Sequence, residues 1–434
     1  MVTVIMAGGR GTRISSIASD IPKPMIKVDG KPILEHEIEG LCKQGFTDII
    51  ITVSYLGNII MDYFKDGRDF GVNIKYYKED KPLGNAGALF KIKESLSEDF
   101  LLLNADSLFD IDFNRFVDFH KKHNGLVSLF THPNNHPYDS GLIITEKNDI
   151  VSNWLAKEDI RPQYYANRVN AGIHIINKSI LDSIDGSHIG EIDEHGNIIK
   201  MDLDRDLLKP LAKSGKMYCY DSPEYVKDMG TPERLNQVEN DILSGITKSR
   251  NLCNKQKAIF LDRDGTINKY VGFLRDINKF ELLDGVSEAI RKINLSQYLC
   301  IVVTNQPIIA RGELSVDGLT EIHNKMETLL GNDGAYIDKI YYCPHHPDKG
   351  YDGEISELKI ECECRKPKPG LIVKASKEFN IDLEKSWMIG DSERDILAGK
   401  NAGCKTILIG NEEYGQDYTT NSLQQAIKFI LGDE

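Results

Sequence analysis

Residues 4–13 read VIMAGGRGTR, an apolar run that leads into three closely spaced glycines. A short apolar run of this kind predicts a buried strand, and glycines directly after a strand let backbone N–H groups converge on a phosphate. Arg10, Arg13 and Lys23 add positive charge near this loop. The stretch therefore predicts an α/β domain with a nucleotide-binding loop, although a lone glycine-rich loop is often only a tight turn.

Strand-like and helix-like segments alternate in both halves of the chain. Buried strands are predicted at 2–7, 48–53, 100–103, 258–261, 299–303, 387–389 and 405–409, and helices at 33–44 and 371–379. The chain has 434 residues, which is more than a single hydrophobic core usually accommodates. The fold class predicted is therefore α/β with two domains, each with a largely parallel sheet and ligands beyond the C-terminal strand ends.

Composition limits the classes of function. The net charge of −13 argues against a protein that binds nucleic acid through its phosphate backbone. No apolar run is long enough for a membrane helix, and the first seven residues lack the basic flank of a signal peptide. We therefore expect a cytoplasmic protein with reduced cysteines and no membrane partner, while a homo-oligomer stays open.

Further segments join the first loop. A second glycine-bearing loop, LGNAG, includes Gly84 and Asn85, a strand ends at Asp106, and DMGTPE begins at Asp228. Either aspartate alone is as readily a turn or helix cap as a ligand. In this order, however, the segments resemble the sugar-1-phosphate nucleotidyltransferases over about residues 1–240. Ala105 departs from the glycine that is usual in that family.

The resemblance implies a Rossmann-like N-terminal domain, set at residues 1–245, in which a sugar 1-phosphate oxygen attacks the α-phosphate of a nucleoside triphosphate. It implies nucleotide binding by Ala7, Gly8, Gly9, Gly11, Thr12, Gly84 and Asn85, with Arg13 and Lys23 as catalytic cations. It also implies that Asp106 and Asp228 bind Mg²⁺. In the same family, Lys157 would bind the sugar phosphate and Asn170 the sugar.

Residues 259–266 read IFLDRDGT, which places two aspartates in a turn after an apolar strand. Asp262 suits a carboxylate nucleophile and Asp264 the acid that protonates a leaving group. Later segments supply Thr304 and Asn305, which could bind the phosphoryl oxygens, and Lys366, which could neutralise the developing negative charge. Asp391 follows a later strand. Asp262, Asp264 and Asp391 are the predicted Mg²⁺ ligands of this half, with Asp395 in support.

This ordered set resembles the haloacid dehalogenase superfamily of phosphatases over residues 256–434, and it implies a second domain with a Rossmannoid sheet. Cys343, His345, Cys362 and Cys364 form a Cys₃His set suited to tetrahedral Zn²⁺. A chance grouping of thiols is the alternative, and His346 is a competing ligand. Because the set leaves no open position, the zinc is predicted to be structural, holding a loop that places Arg365 beside the active site.

Within the superfamily, DRDGTIN, CPHHP and CECRKPKPG together resemble the heptose 1,7-bisphosphate phosphatases. Histidinol phosphatases share this layout, but their zinc loop is usually shorter than the 16 residues between His345 and Cys362. The resemblance makes Arg311, Arg365 and Lys366 substrate-binding candidates. Pro307 and Ile308 stand where that family usually has Ser-Gly, which can alter the substrate contacts.

The two resemblances combine into one hypothesis for the whole chain. The phosphatase would release the 7-phosphate of D-glycero-D-manno-heptose 1,7-bisphosphate, and the first domain would join the 1-phosphate to a nucleotide, with GTP favoured. One alternative is another sugar 1-phosphate with a histidinol-phosphatase-like or other sugar phosphatase. Another is a regulatory or binding protein with a degenerate domain, against which the complete set of charged residues argues.

Overall fold

The structure is a computed structural model that describes residues 1–9 and 20–432. The chain forms two compact units. The first comprises Met1–His132, Gly141–Leu155 and Asn170–Asn251, and the second comprises Pro133–Ser140, Ala156–Val169 and Leu252–Glu434. The domain limits that the sequence suggests, 1–245 and 256–434, stay a prediction.

The first unit is built on a mixed sheet. The strands of this unit are β1 (Thr3–Met6), β2 (Lys27–Val28), β3 (Lys31–Pro32), β4 (Asp48–Val53), β5 (Asn73–Lys78), β6 (Asp99–Asn104), β7 (Ser107–Asp110), β8 (Val127–His132), β9 (Leu142–Thr145), β10 (Val151–Leu155), β11 (Val169–Asn177), β12 (Met217–Asp221) and β13 (Tyr225–Asp228). Of these, β2 pairs with β3, and β7 pairs with β13, in two small separate sheets. The main order is β10-β9-β11-β6-β1-β4-β5. β6, β1, β4 and β5 run parallel as predicted, but β11 is antiparallel to β6.

Helices of the first unit bury apolar residues, the first four of them against this sheet and the last two against β2, β7 and β13. They are α1 (Ile33–Lys43), α2 (Gly57–Phe64), α3 (Gly87–Lys91), α4 (Phe113–His123), α5 (Pro232–Leu243) and α6 (Ile246–Ser249). On α1, Leu34, Ile38 and Leu41 recur at helical spacing and pack with Ile5 and Ile51 of the sheet. The predicted helix at 33–44 is thus confirmed as α1.

The second unit has a sheet in which all neighbouring strands are parallel. Its strands are β14 (Lys257–Leu261), β15 (Tyr298–Asn305), β16 (Lys339–Cys343), β17 (Trp387–Gly390), β18 (Lys405–Ile409) and β19 (Tyr418–Thr420), in the order β16-β15-β14-β17-β18-β19. The central strands are continuous apolar runs, as expected for strands covered on both faces. This confirms the predicted parallel sheet and brings the ends of β14, β15 and β17 to one edge.

Helices cover this second sheet. They are α7 (Val286–Asn294), α8 (Val316–Asn332), α9 (Gly370–Glu378), α10 (Glu393–Ala402) and α11 (Leu423–Leu431). α10 begins with a capping box, in which the side chains of Ser392 and Asp395 each accept from the other's backbone N–H. Across residues 1–9 and 20–432, no helix combines the length and apolarity needed to cross a membrane.

Candidate active sites

The first unit contains a cavity of about 1010 Å³ at the C-terminal ends of β1, β4 and β6. Its lining brings together many of the predicted nucleotide-site residues, namely Ala7, Gly8, Gly9, Lys23, Gly84, Asn85, Asp106 and Asp228. Small-molecule sites usually measure roughly 300–1,000 Å³, so this volume suits a nucleotide with a second substrate. The cavity lies where parallel strands of an α/β sheet commonly present ligands.

The second glycine loop needs glycine at position 84. Gly84 has φ +85°, and a Cβ atom there would lie 2.3 Å from the carbonyl oxygen of Met201. The Met201 N–H donates to the Leu83 carbonyl at 2.9 Å. The Asn85 Oδ1 atom accepts from the Leu203 N–H at 2.7 Å. These bonds hold the loop against residues 201–203 and fix the wall of the cavity that Gly84 and Asn85 line.

Two carboxylates in the cavity each have a cationic partner. The Lys23 Nζ atom lies 3.0 Å from Asp106. The Arg234 Nη1 atom donates to both carboxylate oxygens of Asp228, at 2.6 and 2.7 Å, and the Gly230 N–H donates to Asp228 at 3.0 Å. Arg234 was not among the predicted site residues, although it stands three residues after the helix cap in the same GTPER segment.

Glu37 is a further residue that the sequence did not indicate. It lies on α1, is fully buried, and neither carboxylate oxygen has a hydrogen-bond partner among the described residues. Burial raises the pKa of Glu37 well above its ordinary value, and the nearby charge of Asp106 acts in the same direction. Burial and the charge of Asp106 therefore both favour the neutral form of Glu37 over its carboxylate.

Some predicted residues do not line this cavity. Lys157 lies in Ala156–Val169 and forms an ion pair with Asp139. The Asn170 Oδ1 atom accepts from the Gly172 N–H at 3.3 Å and lies 3.1 Å from Nε2 of His174. The roles of Lys157 and Asn170 stay predictions. Gly11, Thr12 and Arg13 fall outside the described residues.

The second unit gathers a charged centre at its strand ends. The Lys366 Nζ atom lies 2.8 Å from Asp262 and 2.6 Å from Asp395, and it donates to the Val303 carbonyl at 2.8 Å. Burial raises the pKa of Asp262, while the charge of Lys366 opposes that rise. Burial alone would lower the pKa of Lys366, but Asp262 and Asp395 raise it overall. The centre is a buried ammonium between two carboxyl groups.

Asp262, Asp391 and Asp395 have one carboxylate oxygen each within a span of 4.8 Å. Three carboxylates at this spacing fit a hard divalent cation such as Mg²⁺. Gly265 allows the approach, because a Cβ at its φ of +85° would lie 1.9 Å from Oδ2 of Asp391. Asp264, also predicted as a Mg²⁺ ligand, is not in this group of three.

Asp264 is instead held by donors on several sides. The Arg263 Nη2 atom donates to its two oxygens at 2.7 and 2.9 Å, and Asn268 and Gln306 each donate at 3.0 Å. Burial alone would raise the pKa of Asp264, but the charge of Arg263 and these hydrogen bonds lower it overall. The acid predicted for the leaving group is therefore a fixed side chain.

The predicted phosphate-binding pair lies at the end of β15. Asn305 accepts from the Lys366 N–H and donates to the Lys366 carbonyl, both at 3.0 Å, so it fixes the backbone that carries the ammonium. The Thr304 Oγ1 atom accepts from Gln306 at 2.9 Å. The guanidinium of Arg311 lies over the rings of Phe273 and Tyr351, 4.3 and 4.2 Å from their centroids.

Cys343, His345, Cys362 and Cys364 converge, with their ligand atoms within 4.8 Å of one another. The sulfur atom of Cys364 lies 3.2 Å from that of Cys343 and 3.3 Å from that of Cys362, and 3.2 Å from Nδ1 of His345. These spacings and donor types fit a tetrahedral zinc ion. The Arg365 Nη1 atom donates to the His345 carbonyl at 3.3 Å, which ties this segment to the cluster.

Comparisons with known proteins match both halves. Residues 2–245 match the Nucleotidyl transferase family and residues 363–431 the HAD-hydrolase-like family. A D-glycero-beta-D-manno-heptose-1,7-bisphosphate 7-phosphatase from Pasteurella multocida is 43% identical over 173 residues, which are 39% of this chain and 89% of that enzyme. The D-glycero-alpha-D-manno-heptose-1,7-bisphosphate 7-phosphatase of Burkholderia mallei is 43% identical over 155 residues, 36% of this chain and 80% of that enzyme.

Among solved structures, HddC from Yersinia pseudotuberculosis is similar with a TM-score of 0.47 and 24% identity. The likeness covers 56% of this chain and 99% of HddC. The family match over residues 2–245 extends over more than half of the chain, and the phosphatase relatives add the second activity. The chain therefore belongs to the nucleotidyl transferase family and joins that domain to a HAD-like phosphatase domain in one bifunctional enzyme.

Proposed function

We propose that this enzyme acts twice on one heptose. The phosphatase domain removes the 7-phosphate of D-glycero-D-manno-heptose 1,7-bisphosphate, and the nucleotidyltransferase domain transfers GMP from GTP to the resulting 1-phosphate. The likeness to the Pasteurella multocida enzyme carries the proposal, because it spans 89% of a phosphatase named for a heptose bisphosphate. The order follows from chemistry, since a 7-phosphatase leaves the sugar 1-phosphate that a nucleotidyltransferase consumes.

The phosphatase step is proposed to use Asp262 as nucleophile. Its carboxylate oxygen attacks the phosphorus of the 7-phosphate, and the bond from phosphorus to the C7 oxygen breaks. Asp264 gives that oxygen a proton from its acid form, which the charge of Arg263 disfavours in the free protein. Water then attacks the same phosphorus, the bond to Asp262 breaks, and Asp264 takes up a proton. Lys366, 2.8 Å from Asp262, supports the charge that develops on the phosphoryl oxygens.

The nucleotidyl transfer is proposed to depend on positioning and charge. An oxygen of the sugar 1-phosphate attacks the α-phosphorus of GTP, and the bond to pyrophosphate breaks. The loops at Gly8 and Gly84 line the cavity for the nucleotide, and Lys23 neutralises negative charge there. Arg13 and Lys157 are proposed to hold the triphosphate and the sugar phosphate, as the family resemblance implies.

The metal assignments are also part of the proposal. Asp262 and Asp391, supported by Asp395, would hold Mg²⁺ in the phosphatase domain, and Asp106 and Asp228 would hold it in the transferase domain. Bound Mg²⁺ supplies positive charge for phosphate oxygens at both sites. The Cys₃His cluster would hold a structural Zn²⁺.

A one-pot reaction tests this proposal. The purified protein is incubated with Mg²⁺, either anomer of heptose 1,7-bisphosphate, and one nucleoside triphosphate at a time, and products are identified by mass spectrometry. We expect GDP-heptose with GTP, formed from the anomer that the phosphatase domain hydrolyses. Asp262→Asn should abolish phosphate release from the bisphosphate but leave transfer to pre-made heptose 1-phosphate. Asp106→Asn should leave phosphate release and abolish the transfer.

Each other outcome removes a defined part of the proposal. Phosphate release without any nucleotide sugar would retain the phosphatase and overturn the heptose assignment of the transferase. Nucleotide-heptose formed with another triphosphate would overturn the choice of GTP. No phosphate release from either anomer would overturn the heptose substrate and favour another sugar phosphate.

A further inference from the structure

Arg263 is a fully buried arginine inside the phosphatase motif. It stands between Asp262 and Asp264 in sequence, yet its side chain turns away from solvent completely. Burying a guanidinium is unfavourable unless its donors are paired. Its position therefore calls for partners that occupy all of its nitrogen atoms.

One side of the guanidinium binds Asp264. The Nη2 atom of Arg263 lies 2.7 Å from Oδ2 and 2.9 Å from Oδ1 of that carboxylate, and Nε lies 3.3 Å from Oδ1. Because a guanidinium is planar and rigid, a contact through two nitrogen atoms sets the orientation of the carboxylate as well as its distance. The amides of Asn268 and Gln306 donate to the same group, but each does so through one nitrogen atom.

The other side of the guanidinium meets a helix. The Nη1 atom of Arg263 lies 3.2 Å from Nε2 of His323, which lies on α8 and is buried. Arginine has no acceptor, so Nε2 of His323 is the unprotonated nitrogen and accepts this bond. Burial, helped by the charge of Arg263, lowers the pKa of His323 to about 3 and keeps the ring neutral. His323 thus fixes the rotation of the guanidinium from the side opposite to Asp264.

We propose that His323 and Arg263 are a positioning pair, in which His323 orients the guanidinium and Arg263 in turn fixes the carboxylate of Asp264 for proton transfer. Neither residue touches the substrate in this role. The inference rests on the proposed role of Asp264 as the acid of the phosphatase step. An acid misplaced by about 1 Å can lose about a hundredfold in rate, which is the size of effect expected here.

The leaving group separates positioning of an acid from a general loss of structure. An alkyl phosphate such as heptose 1,7-bisphosphate needs a proton on its leaving oxygen, whereas p-nitrophenyl phosphate releases a stable nitrophenolate without one. We expect His323→Leu to lower kcat/KM for the heptose substrate by about a hundredfold and that for p-nitrophenyl phosphate by less than about fivefold. His323→Gln keeps an acceptor for Nη1 and should stay within about threefold of wild type on both substrates.

Two further variants make each result decisive. Arg263→Lys keeps the buried charge but cannot bind the carboxylate through two nitrogen atoms, so it should show the same selective loss if His323→Leu does not fold. Asp264→Asn should show the selective loss by itself. If it does not, the proposed role of Asp264 fails. If it does, but His323→Leu or Arg263→Lys slows both substrates equally or neither, the positioning pair is refuted and the phosphatase proposal stands.

Discussion

The Nζ atom of Lys366 lies 2.8 Å from Oδ1 of Asp262, and both side chains are largely enclosed. Without this ammonium, the carboxylates of Asp262 and Asp395 would face each other in a buried site. We expect Lys366→Met to lower kcat for phosphate release by at least about a hundredfold, because a preorganised charge at the reacting phosphate is lost. Transfer of nucleotide to pre-made heptose 1-phosphate, assayed on the same sample, should be unchanged.

Lys368 provides a matched control for this change. It lies two residues further along, its side chain is 44% exposed, and it pairs with Glu363 at 3.1 Å. Exposed ion pairs contribute little, so Lys368→Met should leave both activities within about twofold of wild type. If Lys366→Met released phosphate as fast as Lys368→Met, the role assigned to the buried ammonium of Lys366 would be contradicted.

The nucleotide loop is tested by Gly84→Ala. A Cβ atom at this position would approach the Met201 carbonyl to 2.3 Å, so the loop has to move away from the residues that hold it. We expect nucleotidyl transfer to fall by at least about tenfold, with phosphate release unchanged. Gly196→Ala is the control, since Gly196 has nearly the same φ, +82°, and nothing lies within 4 Å of the methyl group that alanine would add there.

Both glycine variants carry a similar cost for the left-handed backbone, roughly 1 kcal/mol. The difference between them therefore isolates the clash with Met201. Equal activities of the two variants would show that the loop tolerates displacement and that its shape does not limit the reaction.

The sequence predicted the parallel parts of both sheets well. The predicted strand at 48–53 is β4, and those at 258–261 and 405–409 correspond to β14 and β18. Such strands are continuous apolar runs, which are visible within a few residues. Because polar residues follow these runs directly, the convergence of Asp262 and Asp391 at one sheet edge could also be predicted from local pattern and topology.

Contacts between residues that are far apart in the sequence were harder to predict. His323 reads as one polar residue on α8, and only the fold brings it to Arg263, 60 residues away. Glu37 likewise reads as a surface residue of α1, yet it is fully buried. The antiparallel pairing of β11 with β6 was missed because an apolar strand carries no sign of its direction.

The zinc assignment predicts that the stability and the activity of the second unit depend on bound zinc. Cys362→Ser removes a sulfur that lies 3.6 Å from that of Cys343 and 3.3 Å from that of Cys364. Binding of a structural zinc contributes about 10–16 kcal/mol in zinc-finger peptides, more than most domains have as net stability. We expect the variant to lose stoichiometric zinc, measured by plasma mass spectrometry, and its phosphatase activity.

Cys253→Ser is the control for that experiment, because Cys253 is exposed and lies outside the cluster. It should retain one zinc per chain and normal phosphate release. Chelation of the wild-type protein, followed by return to excess Mg²⁺ without zinc, should reproduce the behaviour of Cys362→Ser. Unchanged zinc content in Cys362→Ser would refute the Cys₃His site.

Glu37 predicts a pH dependence of the stability of the first unit. Its pKa is raised by burial, so the folded state keeps a proton that the unfolded chain releases above its pKa of about 4.3. The resulting stability is complete below that pH and falls by about 1.4 kcal/mol per pH unit as the pH rises toward the folded pKa. Glu37→Gln has no such proton and should gain stability relative to wild type over this range.

Urea unfolding in EDTA checks this, with Trp154 as reporter in a Trp387→Phe background that leaves one tryptophan in the chain. Glu39 on the same helix is the control of opposite sign, because its hydrogen bond to Lys31 lowers its pKa. Glu39→Gln should be less stable than wild type at neutral pH, and the difference should vanish as the pH falls through the folded pKa. Parallel pH profiles for wild type and Glu37→Gln would mean that Glu37 is ionised in the folded protein and has a partner there.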